Sequence, residues 1–237
     1  VICSHVSNVF GFVQPLEEIA SLCRQRGVPL IVDASQSAGV IPLDMEKLGA
    51  AFIAMPGHKG LYGPQGTGVL LCGEGVAAEP LLFGGTGSLS AVQEMPEFLP
   101  DRLEAGTHNV PGIAGLLAGV RYVRERGEAR ICRRERELAL LAAELLRELP
   151  GVRVYAERGL RNQTGVLSFA VDGMDVGAVG AALAEQEIAL RTGLHCAPLA
   201  HRSAGTWETG TVRLSFSDFN TAEEVFRLQE ALKRLIP

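Results

Sequence analysis

The order of apolar and polar positions along the chain divides it into two regimes. In the first, short apolar runs alternate with amphipathic stretches. Residues 1–6 read as a strand. Pro15 stands where a helix would start, and Leu16, Ile19, Ala20 and Cys23 recur on one face up to Gly27. Residues 29–32 are continuously apolar and end in Asp33, a pattern that predicts a strand buried on both faces. A short helical turn at 44–48 leads to a third apolar run at 50–55, and 68–72 reads as a further strand. Strands interleaved with helices imply a mostly parallel sheet flanked by helices.

After residue 84 the pattern changes. Glycines and prolines with little periodicity fill 84–100, which reads as a functional loop. Residues 111–149 predict a long helix broken near Gly127, with Arg/Glu pairs on its outer face. From Gly151 onward, strands are expected at 152–155, 165–171, 188–191 and 210–216, and helices at 175–186 and 221–235. The expected fold class is therefore α/β, with part of a larger domain over 1–117 and a smaller C-terminal α+β domain over 118–237.

Composition narrows the function classes. The 237 residues are 47% apolar and 21% charged, ordinary for a globular protein. A net charge of −5 with both signs mixed along the chain argues against a nucleic-acid or membrane-surface partner. No apolar run approaches the ~20 residues that cross a bilayer, and no charged-then-apolar leader opens the chain. The chain starts directly on strand-like Val1-Ile2-Cys3, so the expectation is that a first portion of the protein lies outside these residues. Five widely spaced cysteines (Cys3, Cys23, Cys72, Cys132, Cys196) without a C-x-x-C pair favour free thiols over disulfides or zinc, and the cytoplasm as the address. His195 and His201 flank Cys196, but nothing nearby completes a ligand set, and no metal is expected.

Two residues suggest chemistry. Asp33 ends a buried strand, where ligands of open α/β sheets bind; the alternative is a carboxylate that caps the following turn. Lys59, in Gly57-His58-Lys59-Gly60, follows the run 50–55 and would point into the same crevice. Burial would lower its pKa and free the amine for Schiff-base chemistry; the alternative is a surface lysine in a loop. An imine-forming lysine with an acidic partner for a pyridinium nitrogen is what pyridoxal phosphate requires. The glycine-rich 63–68 segment fits neither the Walker nor the dinucleotide spacing and reads as a tight turn beside the lysine.

The segments Ser7-Asn8, Asp33-Ala34-Ser35-Gln36, Gly57-His58-Lys59, Glu104-Ala105-Gly106-Thr107, Arg191-Thr192-Gly193-Leu194-His195-Cys196, Arg213-Leu214-Ser215-Phe216 and Asn220-Thr221 together resemble the class V aminotransferase superfamily. Within it they are most similar to the SufS-like cysteine desulfurases, and R-x-G-x-H-C narrows the likeness to the desulfurase and selenocysteine lyase branch. The resemblance implies a partial type I fold of pyridoxal-phosphate transferases. It implies Lys59 as the cofactor's Schiff-base lysine and the proton shuttle at the substrate Cα. Asp33 would pair with the pyridinium nitrogen, Gln36 would bond the phenolic oxygen, and His58 would contact the phosphate. Asn8 and Arg213 would hold the substrate carboxylate, and Cys196 would take the sulfur as a persulfide. Arg191 and His195 would supply positive charge beside that thiolate, and Arg191 is also a candidate substrate contact. Gly106 and Thr107 match a segment that reaches the neighbouring subunit's cofactor phosphate, which implies a homodimer.

The implied reaction converts L-cysteine to alanine and passes sulfur to an acceptor protein for iron–sulfur cluster assembly. The alternatives are a selenocysteine lyase, another class V enzyme, or a catalytically silent shortened form. Two departures from the family pattern stand out. Pro56 replaces a residue that in many relatives is a hydroxyl contact to the phosphate. The family's N-terminal portion, which cradles the phosphate and stacks a ring on the cofactor, has no counterpart in these residues, so weak cofactor affinity is expected.

Overall fold

The structure, a computed structural model, describes residues 1–236. The first sheet is built from β1 (Ile2–Ser4), β2 (Ile31–Asp33), β3 (Phe52–Pro56) and β4 (Gly68–Cys72), in that spatial order. β1, β2 and β3 run parallel, with Ser4 beside Asp33 and Asp33 beside Ala54. β4 returns antiparallel to β3. The connection over 57–67 contains no helix, and a parallel return needs a crossover of a dozen residues or more. The helices α1 (Leu16–Gln25) and α2 (Met45–Leu48) cover one face, where Leu16, Ala20 and Cys23 pack with Leu30, Val32 and Ile53.

One expectation for β2 is corrected here. Val32 is fully buried, but Ile31 and Asp33 on the opposite face are only half-buried, as are Phe52 and Ala54 on β3. A continuous apolar run cannot distinguish one covered face from two, because the strand's pleat sends alternate side chains to opposite sides whatever their type.

Between β4 and residue 109 the only regular element is a single 3-10 turn, Asp101–Leu103. Two helices follow, α3 (Val110–Arg126) and α4 (Glu128–Arg147), so residue 117 falls inside α3. They break at Gly127, whose φ of 85° is a conformation that suits glycine.

The second sheet contains β5 (Val152–Val154), β6 (Val166–Val171), β7 (Arg191–Gly193) and β8 (Thr211–Ser215) in the order β5-β6-β8-β7, all antiparallel. Its core joins Leu138, Ala142 and Leu146 of α4 to Leu167, Phe169 and Val212, to Val179 and Leu183 of α5 (Val176–Ala184), and to Leu228 and Leu232 of α7 (Ala222–Leu235).

Two elements differ from the pattern's expectation. β7 begins at Arg191, because Ile188 and Leu190 pack against the core and the pairing with β8 runs from Arg191 opposite Arg213 to Gly193 opposite Thr211. The short helix α6 (Pro198–Ala204) has no apolar stripe: it buries His201, bonded to Thr206, while Leu199 is 71% exposed. No helix among the described residues is long and apolar enough to cross a membrane.

The segment after β1 joins the two sheets. Ser168 Oγ on β6 donates to the Val9 carbonyl (2.6 Å), Gln163 Nε2 donates to Phe10 (2.6 Å), and Val13 N donates to Asn162 (2.8 Å).

Candidate active site

The carboxyl ends of β1, β2 and β3 converge on one edge of the first sheet, and β7 and β8 bring two arginines to meet it. Between them lies a cavity of about 300 Å³ whose wall includes Gln36, Lys59, Tyr62, Glu135 and Arg213. Asp33 accepts hydrogen bonds from Ser35 N (2.9 Å) and Ser4 Oγ (3.0 Å). Burial pushes its carboxyl up, but those bonds and the Lys59 charge outweigh it, and the carboxyl is held below its ordinary value. The Lys59 loop is placed backbone against backbone: a Cβ on Gly60 would strike the Ala38 carbonyl oxygen, and a Cβ on Gly39 the Gly60 carbonyl oxygen. Only glycine at both positions permits that approach.

On the other wall, Arg213 Nη1 donates to the Asn8 carbonyl (2.8 Å), and its buried Nε has no partner among the described residues. Asn8 Nδ2 in turn donates to the His195 carbonyl (2.6 Å). Cys196 follows directly and is exposed, with its Sγ 3.9 Å from Arg191 Nη2. Both His195 and Cys196 have positive φ, 51° and 60°, so the turn that presents the thiol is strained. Asn8, Arg191, Cys196 and Arg213 thus form one continuous group, and of these four it is Arg213 that lines the cavity together with Gln36 and Lys59.

The family model for class V aminotransferases matches residues 1–228. The chain belongs to the class V aminotransferase family. A probable cysteine desulfurase of Pyrococcus abyssi is 38% identical over all of this chain and 59% of its own length. The apo structure of a cysteine desulfurase from Thermococcus onnurineus superposes with a TM-score of 0.91 at 39% identity, over 100% of this chain and 59% of that one. An Escherichia coli cysteine desulfurase solved in an S-sulfonic acid form has a TM-score of 0.87 at 33% identity, over 98% and 58%. The chain therefore spans under three fifths of the length of these relatives. The partial type I fold, a mostly parallel sheet with helices and a smaller α+β part, follows from these likenesses.

Two expectations for this class V chain need correction. Lys59 is exposed rather than buried, because only the backbone of its loop packs down. His195 does not supply positive charge beside Cys196. It is 4% exposed, and burial and then the Arg213 charge lower its pKa to about 4, so the ring is neutral near pH 7. Arg191 is the cation in contact with the sulfur. Asn8, Asp33, Arg191 and Cys196 are not among the residues that line this cavity, and neither are the exposed His58, Gly106 and Thr107; Gly106 N donates to the Gly85 carbonyl. No cluster of three or more candidate metal ligands occurs among the described residues.

The sequence reading missed Glu135, buried in the cavity wall and with its pKa raised to about 8, by burial first and the like charge of Asp218 second. The signal was present. Glu135 shares the face of α4 that carries Ile131, Leu138 and Ala142, an acid at a helical spacing reserved for apolar side chains. The density of Arg and Glu in this helix concealed it.

Proposed function

We propose that the chain is the Lys59- and Cys196-bearing part of a pyridoxal-phosphate-dependent cysteine desulfurase that releases alanine from L-cysteine. The observation that carries this reading is the exposed Cys196, held on a strained turn beside Arg191 and coupled through Asn8 to Arg213, which lines the same cavity as Lys59.

The donor set suits pyridoxal phosphate. Asp33 is a carboxylate kept ionised for a protonated ring nitrogen, Gln36 offers an amide for the phenolic oxygen, and Lys59 offers an exposed amine for the aldehyde. His58, beside Lys59, is assigned to the phosphate. When bound, the cofactor supplies an electron sink for the substrate's carbon centre.

The remaining steps fall to the protein. Arg213 orients the substrate carboxylate, with Asn8 and Arg191 at its margin, and Lys59 moves the proton at the substrate Cα. The Cys196 thiolate attacks the substrate sulfur. A new S–S bond forms as the Cβ–S bond breaks, the carbon side keeps the electron pair and takes a proton, and no external oxidant is required.

The persulfide on Cys196 is then passed to an acceptor protein in iron–sulfur cluster assembly. Gly106 and Thr107 are exposed, as a segment reaching a neighbouring subunit's phosphate in a homodimer must be. Five free thiols favour a reducing compartment, the cytoplasm. Residues 1–117 belong to the cofactor-binding domain and 118–237 to the small domain.

The test is alanine release by the pyridoxal-phosphate-loaded protein, with absorbance scans of the parent and of Lys59→Ala. The expected results are alanine from L-cysteine and a visible band absent from Lys59→Ala. Alanine from selenocysteine alone would make it a selenocysteine lyase, a keto acid would make it a transaminase, and a colourless, inert parent would overturn the reading.

Arg213→Lys is expected to raise KM for L-cysteine about 10- to 100-fold with kcat little changed. The planar fork and its bond to Asn8 are lost, worth ~1.5–3 kcal/mol for a charged hydrogen bond. Steady-state kinetics check it.

A further inference from the structure

The strained turn that presents Cys196 is anchored from below by a chain of hydroxyls whose direction is fixed. His195 Nε2 lies 3.1 Å from both the carbonyl and the Oγ1 of Thr211. Thr211 Oγ1 donates to Ser168 Oγ (3.3 Å), and Ser168 Oγ donates to the Val9 carbonyl (2.6 Å). A carbonyl can only accept, so each hydroxyl proton points towards Val9 and Thr211 Oγ1 is left to accept from the ring. His195 Nε2 therefore carries the ring proton.

Val9 is the neighbour of Asn8, whose side chain donates to the His195 carbonyl, so the path closes on itself. Thr211, Ser168 and Val9 are fully buried and His195 nearly so. The closed path links three separate parts of the fold, namely the segment after β1, strands β6 and β8, and the Cys196 turn. Arg213, two residues beyond Thr211 on β8, is bonded to the same Asn8 backbone.

We propose that Thr211 and Ser168 are positioning residues for sulfur transfer. Through His195 they hold the Cys196 turn in register with the Asn8–Arg213 pair. This rests on the desulfurase reading for its consequence, though not for its geometry. Without the Thr211 hydroxyl, His195 retains only the backbone carbonyl as acceptor and the turn can relax away from the arginines. Substrate binding by Arg213 stays intact, so the loss falls on kcat and not on KM.

The test uses Thr211→Val, which keeps the shape and removes the hydroxyl, Thr211→Ser, which restores it, and Ser168→Ala, which breaks the next link should Thr211→Val fail to fold. The first readout is the rate of Cys196 modification by iodoacetate divided by that by iodoacetamide, measured on the Cys196 peptide by mass spectrometry. The anionic reagent senses the arginines, and the ratio cancels the fraction of thiolate. It is expected to fall about threefold in Thr211→Val and to recover in Thr211→Ser. The second readout is alanine release, expected to lose about tenfold in kcat with KM within about twofold.

An unchanged ratio in a folded Thr211→Val, or a ratio that Thr211→Ser does not restore, overturns the proposal. The ratio needs neither cofactor nor turnover, so a parent protein that releases no alanine would count against the desulfurase reading alone.

Discussion

Cys196→Ser is expected to lower alanine release from L-cysteine by about 10³-fold, without loss of folding or of the bound cofactor's absorbance. The exposed side chain contributes nothing to either core, and among the described residues only Arg191 comes within hydrogen-bonding reach of its sulfur. On the proposed reading the substitution therefore removes the nucleophile and little else: a serine hydroxyl is far less ionised than a thiol and a poor nucleophile towards sulfur.

No other cysteine is as exposed. Cys23 is buried, while Cys3, Cys72 and Cys132 are half-covered, and burial pushes the thiols of Cys3 and Cys132 up. Turnover measured beside mass spectrometry of the Cys196 peptide decides the matter. The parent should gain one sulfur atom there on mixing with L-cysteine, and the variant should not. A variant that keeps its rate, or a parent whose extra sulfur sits on another peptide, would move the nucleophile elsewhere.

How much of this was legible in the sequence depends on the kind of feature. The breaks at Gly27 and Gly127 and the helices around them were readable, because helical spacing and glycine act locally. So was the association of Asp33 with Lys59, since both follow apolar runs that become neighbouring parallel strands. The contact between Asn8 and Arg213 joins residues 205 positions apart across the seam between the sheets, and no local pattern encodes it. The protonation state of His195 was misread for the same reason. Its sequence neighbours Arg191 and Cys196 suggested a charged ring, whereas its spatial neighbours are Thr211 and a dry interior. Burial decides the charge of a titratable group, and burial is a property of the fold. The half-covered face of β2 belongs to the same class of feature.

Glu135 extends that logic to stability. Its carboxyl is buried, with the like charge of Asp218 nearby, and Arg126 is committed to Asp218 rather than to Glu135. The folded-state pKa near 8 stands above the ordinary 4.5, so the folded chain holds a proton that the unfolded chain has already released. For an acid shifted upwards, the stabilising contribution is complete below 4.5 and is lost as pH rises towards about 8, at roughly 1.4 kcal/mol per pH unit.

Glu135→Gln keeps the shape and a hydrogen-bonding terminus but has nothing to ionise. Set equal to the parent near pH 4.5, the variant is expected to be the more stable by on the order of 4 kcal/mol at pH 8.5. His195 acts in the opposite sense over part of this range. Its lowered pKa costs stability as pH falls from 6.5 towards about 4, which tilts the parent curve and that of the variant alike. The informative quantity is therefore the difference between the two proteins, from urea unfolding at pH 5, 6.5 and 8.5. A difference that stays constant over those three points would mean that Glu135 is ionised in the folded chain, with a cation or water reaching it through the cavity. The same neutral carboxyl faces the space between Lys59 and Arg213. It keeps that wall free of negative charge, which on the proposed reading would oppose a substrate carboxylate held by Arg213.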